Sequence, residues 1–140
     1  MKNKASDVVI GGGIVGCSAA YNLAKRGVKD VVLLEKGFLA SGATGRCGAG
    51  VRQQWGTRQN CLLARESMKI LENLPEELEE DVDIELKQRG YLLLSFSPEE
   101  TEQFRRNLDV QHSLGIPSRA LTSREAKNLV PILNTKNIHS

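Results

Sequence analysis

Val8-Val9-Ile10-Gly11-Gly12-Gly13-Ile14-Val15-Gly16 is the stretch on which the fold turns. Val8-Val9-Ile10 is a short β-branched run ending in glycines, the pattern of a buried parallel strand. Beyond the glycines, apolar residues recur at Ile14, Val15, Ala19, Ala20, Leu23 and Ala24, which predicts a helix over 14–26. Gly27 stands where a C′ glycine ends a helix. Val31-Val32-Leu33-Leu34 reads as a second buried strand. Strand, helix and strand within about 30 residues make one βαβ unit.

Gly11, Gly13 and Gly16 form G-x-G-x-x-G between that strand and that helix. Gly11 permits the tight turn, Gly13 lets the backbone approach a pyrophosphate, and Gly16 lets helix and strand pack closely. The helix N-terminus offers free N–H groups and a positive dipole end to phosphate oxygens. Glu35 lies 19 residues after Gly16, at the end of the second strand. A carboxylate there accepts hydrogen bonds from ribose hydroxyls and repels a 2′-phosphate, which disfavours NADP. The motif alone is a weak signal; strand, glycines, helix and acid in register are a strong one.

A second glycine-rich stretch bears on which dinucleotide binds. Gly37, Gly42, Gly45, Gly48 and Gly50 sit among Ser41, Ala43, Thr44 and Ala49. A long loop in a compact domain tends to be functional. A nicotinamide Rossmann domain normally continues from its second strand into a helix. Here Ser41-Gly42-Ala43-Thr44-Gly45-Arg46-Cys47-Gly48-Ala49-Gly50 lets a backbone run beside a long, flat ligand, with donors for phosphate oxygens and a flavin ring. This turns the choice toward FAD, with an NAD-dependent dehydrogenase as the alternative.

Further along, Thr57 predicts the cap of a helix to about Leu74, with Pro75 just beyond it. The acidic run Glu76 to Asp81 reads as a solvated helix end or turn, and Tyr91 to Phe96 as a strand after Gly90. Ser97-Pro98-Glu99-Glu100 and Thr122-Ser123-Arg124-Glu125 are both capping-box patterns. They predict helices to about Leu114, closed by Gly115, and to Leu129, before Pro131.

Composition narrows the function classes. The chain has 140 residues, 40% hydrophobic and 26% charged, with a net charge of +2. Its basic and acidic residues are interleaved, so no nucleic-acid partner is indicated. Cys17, Cys47 and Cys61 form no CxxC pair, so neither a disulfide framework nor a zinc site is expected, and a cytoplasmic location is. Met1-Lys2-Asn3-Lys4 is basic, but glycines interrupt the apolar stretch behind it, and no targeting or transmembrane segment is read. His112 and His139 have neither metal spacing nor a triad partner. Trp55 is read as packing, and Cys47 as a small packing residue rather than a flavin attachment point.

Together these residues resemble a known family. The first glycine stretch, Leu33-Leu34-Glu35-Lys36, and Ser41-Gly42-Ala43-Thr44-Gly45-Arg46 look like the D-amino-acid oxidase/glycine oxidase family of FAD-dependent oxidoreductases. Arg46-Cys47-Gly48-Ala49-Gly50-Val51-Arg52-Gln53-Gln54 is similar to the branch of sarcosine oxidase and dye-linked proline dehydrogenase β-subunits. So are Gly90-Tyr91-Leu92 and Ser123-Arg124-Glu125-Ala126 before Val130-Pro131. The first 55 residues carry the specific part of the likeness.

The resemblance implies FAD as cofactor and a small amino acid (sarcosine, glycine or proline class) as substrate, with hydride passing to the flavin. It implies that Gly11, Gly13, Ile14, Val15 and Gly16 face the pyrophosphate, Glu35 the adenosine ribose and Lys36 the adenine end. Ser41, Gly42, Ala43 and Thr44 would follow the phosphate and ribityl region, and Arg46, Cys47, Gly48 and Gly50 would approach the isoalloxazine. Arg52 and Gln54 would lie on the substrate side, with Arg52 a candidate clamp for a substrate carboxylate or else a member of a structural ion pair. Partner subunits of a hetero-oligomer are implied as well; a metal is not.

The expected architecture is α/β: a Rossmann-like FAD-binding βαβ unit leading into the start of a mixed α+β substrate domain, incomplete. Residues 1–82 are assigned to the FAD-binding domain and 83–140 to the beginning of the substrate domain. Family members are much longer, so the chain is expected to be an N-terminal fragment that is inactive alone. A non-catalytic, cofactor-holding role is the alternative from another class.

Overall fold

The computed structural model describes residues 4–139; the basic start at Met1 to Asn3 lies outside them. Contacts divide the chain between Gly50 and Val51 into two compact units. The division at 82/83 concerns functional domains and is a separate matter from this one.

In the first unit, β1 (Asp7–Ile10) and β2 (Val31–Leu34) pair in parallel, Asp7 opposite Val31 and Ile10 opposite Leu34. Helix α1 (Ile14–Lys25) makes the crossover, so the βαβ unit stands where the glycine spacing put it. Two bonds finish α1: the Gly27 amide to Ala24 C=O at 2.9 Å and the Val28 amide to Leu23 C=O at 3.1 Å. That is a Schellman closure. The side chain of Val9 lies toward Gly16 of α1.

Val8 and Ile10 lie on the opposite side of the pleat and are 52% and 85% exposed. The expectation of buried strands is therefore corrected. A two-stranded sheet with a helix on one face leaves its other face open, and burial of a parallel strand requires cover on both. In the 37–50 loop, Ala43–Arg46 form a single helical turn, α2.

The second unit is helical. Thr57 caps α3 (Arg58–Glu72) by accepting the Asn60 amide, and a short α4 (Leu74–Leu78) follows with Pro75 in its first turn. Ser97 opens α5 (Pro98–Ser113) by accepting the Glu100 amide, but the return bond differs from a capping box. The Glu100 carboxylate accepts from the Phe96 amide, one residue before the cap. Thr122 and Glu125 do form the complete box that opens α6 (Ser123–Leu129).

Residues 91–96 are not a strand. A strand needs a partner, and among the described residues the sheet is β1–β2 alone. Those backbone groups turn to side chains and to the chain end instead: Tyr91 C=O accepts from Gln54, and Ser95 C=O from the His139 amide. The core gathers on Cys61, Leu114 and Ile116, with Leu62 and Val110 against them.

Candidate functional site

The glycine turn sets the end of α1. Gly11 has φ +106°, a conformation glycine adopts without strain. A Cβ on Gly16 would lie 1.9 Å from Gly11 C=O, so helix and turn can approach this closely only with glycine there. The first bond into the helix runs from the Cys17 amide to Gly13 C=O at 2.9 Å. The amides before it belong to the free first turn of the helix. No side chain of the cap residue closes this end, no acid stands in its first turn, and Ile14 and Val15 are exposed. Amides and dipole thus point to an open position suited to an anion.

Glu35 stands beside this turn. Its Oε2 accepts the Gly12 amide at 2.8 Å and its Oε1 accepts the Gly37 amide at 2.8 Å. The Gly12 bond, then the Gly37 bond, hold the carboxyl below the usual carboxylate range, with help from the Lys36 backbone and charge. The group is therefore anionic at neutral pH. Each oxygen keeps a further lone pair for an outside donor, such as a ribose hydroxyl.

The second glycine-rich stretch is stitched onto the first. The Ala40 amide donates to Gly12 C=O at 2.8 Å, and the Gly45 amide to Ala40 C=O at 2.9 Å. Thr44 Oγ1 accepts the Ile14 amide at 3.0 Å, which places its hydroxyl at the mouth of α1. Its own proton remains available to a ligand oxygen. The Cys47 thiol donates to Thr44 C=O at 3.0 Å. Of the residues named from the sequence, Gly11 to Gly16, Glu35 and Thr44 come together. Ser41 lies against Gly37, while Lys36, Gly42, Ala43, Arg46, Cys47, Gly48 and Gly50 line the exposed run of the loop. The Thr44 stitch was not read from the sequence; its signal was a hydroxyl in a run of small residues.

Arg52 and Gln54 belong to the second unit. The Arg52 guanidinium stacks on the Trp55 ring, 4.4 Å from its centroid. The alternative of a structural ion pair is replaced by a cation–π stack, and Trp55, read as packing, proves to be a platform. Gln54 donates to Tyr91 C=O at 3.3 Å. His112 and His139 are exposed, bonded to Ser118 C=O and Thr101 respectively. Among the described residues no cluster could hold a metal ion, and no helix is long and apolar enough to cross a membrane.

Comparison with known proteins bears on the family and the fold. The chain is 36% identical over 133 residues to sarcosine oxidase subunit beta of Arthrobacter sp, covering 94% of this chain and 32% of that protein. Among solved structures, L-proline dehydrogenase from P. horikoshii aligns with a TM-score of 0.86 at 40% identity, covering 99% of this chain and 36% of that one. Glycine oxidase from Geobacillus kaustophilus aligns with a TM-score of 0.79 at 28% identity, covering 94% and 37%. The chain thus spans about a third of the length of these relatives. Residues 8–140 match the family described as DAO, FAD dependent oxidoreductase, and the chain belongs to that family.

Proposed function

We propose that this chain is the N-terminal portion of an FAD-dependent amino-acid oxidoreductase acting on a small amino acid of the sarcosine, glycine or proline class. The observation that carries the reading is the cradle of the first unit. An open helix end, an anionic Glu35 tied to Gly12 and a Thr44 hydroxyl at the helix mouth fit the pyrophosphate and ribose of a dinucleotide. Membership of an FAD-dependent family favours FAD over the nicotinamide alternative.

In this reading FAD supplies the acceptor for the hydride that leaves the substrate carbon. The protein's part is to bind and orient. The Gly13, Val15 and Gly16 amides hold the pyrophosphate, and Glu35 holds the adenosine ribose beside Lys36. Ser41 to Thr44 guide the phosphate and ribityl region, and Arg46 to Gly50 follow the flavin. Arg52 receives the substrate carboxylate on the N–H edge of its guanidinium. Residues 1–82 serve the cofactor and 83–140 begin the substrate domain.

The names of the β-subunit relatives support a hetero-oligomeric assembly. Three free cysteines without a pairing pattern support a cytoplasmic location. A second reading follows from the share of the relatives covered: the 140 residues hold cofactor, and the catalytic surroundings come from further chain.

The visible spectrum of the purified full-length protein, with sarcosine, glycine and L-proline then added anaerobically, tests the proposal. Flavin bands that bleach with one of these substrates are expected. A colourless protein that binds NAD would overturn it.

A further inference from the structure

We propose that Trp55 is a positioning residue that presents Arg52 to a substrate carboxylate, with Gln111 and Cys61 bracing it from behind. The inference rests on the reading of Arg52 given above and deepens it. A guanidinium has two kinds of surface, a flat face and an edge bearing its N–H donors. Trp55 occupies the face, at 4.4 Å from ring centroid to guanidinium carbon. The edge is left for a planar acceptor, and no carboxylate among the described residues pairs with Arg52. Stacking thus fixes the group without consuming the donors that a bidentate carboxylate needs.

The stack is closed by a second contact. Trp55 Nε1–H donates to Arg52 C=O at 3.0 Å, so one indole holds both the main chain and the side chain of Arg52. Trp55 is itself anchored to the core of its unit. Its carbonyl accepts from Gln111 Nε2 at 2.9 Å and from the Cys61 thiol at 3.3 Å. Gln111 is 4% exposed and Cys61 is fully buried. Gln54, between the two stacked residues, is held to Tyr91 C=O. Such a fixed segment leaves the guanidinium little to reorganise on binding, which lowers the ordering cost of recognition.

Two readouts test this. In the FAD-loaded full-length protein, Trp55→Leu is expected to raise KM for the sarcosine, glycine or L-proline that it oxidises by about tenfold, with kcat within about twofold. Trp55→Phe, which keeps an aromatic face, recovers most of that loss. Arg52→Lys keeps the charge but loses the fork, and raises KM by about fiftyfold. An Arg52→Lys protein with unchanged KM overturns the Arg52 reading and the role of Trp55 with it. A raised KM in Arg52→Lys but not in Trp55→Leu leaves the Arg52 reading intact and overturns the positioning role alone.

The second readout needs neither turnover nor a variant that must fold. Trp55 is the only tryptophan of the 140 residues, so the tryptophan emission of the 140-residue chain reports on it. At least one of sarcosine, glycine and L-proline is expected to shift that emission saturably, and methylamine, which lacks the carboxylate, is not. A response to methylamine equal to that of the amino acids, or no response to any of the three, overturns the proposal.

Discussion

The two units of this chain are held together in opposite ways. Between residues 4 and 50 Gly12 is the one buried residue, yet the region is dense in specific bonds. Glu35 ties Gly12 to Gly37, Thr44 meets Ile14, and Ala40 meets Gly12 C=O. Beyond Gly50 the chain has a true core, with Cys61, Met68, Leu114, Ile116 and Ala126 buried. Backbone bonds to glycines give geometric precision but bury little apolar surface, whereas packed side chains give stability and tolerate variation in shape. The first unit is thus built like a site, and the second like a scaffold.

The largest expected effect breaks this contrast on the side of the site. Gly16→Ala would place a methyl group 1.9 Å from a backbone carbonyl that cannot swing aside. The cost is about 3 kcal/mol, at the upper end of overpacking, and FAD affinity should fall by more than about a hundredfold in a fluorescence titration. Next comes the scaffold. Leu114→Ala empties part of the core cluster and should lower stability to urea by about 2.5 kcal/mol. If the contrast holds, unfolding of the helical unit responds more to that change than the affinity for FAD does.

Two smaller changes sharpen the comparison. Thr44→Val removes the acceptor at the mouth of α1 with little change of shape. It should weaken FAD binding by about 1 kcal/mol, read in the same titration, and leave the helical unit untouched. Thr122→Ala opens the capping box of α6 and should lower stability by about 1 kcal/mol with no effect on FAD.

Acid reaches both units. Glu35 is held below the ordinary value of 4.5 by the Gly12 and Gly37 amides, and Glu125 by the amide and hydroxyl of Thr122. A carboxyl whose folded value is depressed binds fewer protons folded than unfolded. Its stabilisation is therefore present above the unfolded value and fades as pH falls through the lower folded one. Urea midpoints should be flat near neutrality and drop on acidification below about 4.5. A midpoint that rises there would contradict this.

The contrast also explains what the sequence made legible. The βαβ unit could be read because its signals are local: glycines at fixed offsets, a β-branched run and a terminal acid. The caps at Thr57, Ser97 and Thr122 were legible for the same reason. Tyr91 to Phe96 carries strand-forming residues, but pairing is a non-local property that no run of residues specifies by itself. Exposure of Val8 and Ile10 is equally non-local, since it depends on what covers the sheet. At the site, Gly12, which Glu35 meets, and Ile14, which Thr44 meets, lie 23 and 30 residues away, beyond what a local run of residues shows. The Arg52–Trp55 stack had a short-range signal, two matching residues three apart, that gave way to the commoner reading of tryptophan as packing.

The central claim is that the glycine turn, Glu35 and the 37–45 loop hold FAD. Amide hydrogen exchange, compared between flavin-stripped and FAD-reloaded protein, tests it most directly, because the proposed contacts are largely backbone amides. FAD is expected to slow exchange across 11–16 and 37–45, with little change in α5. Equal exchange in the two states over 11–16, while FAD is bound, would contradict the account.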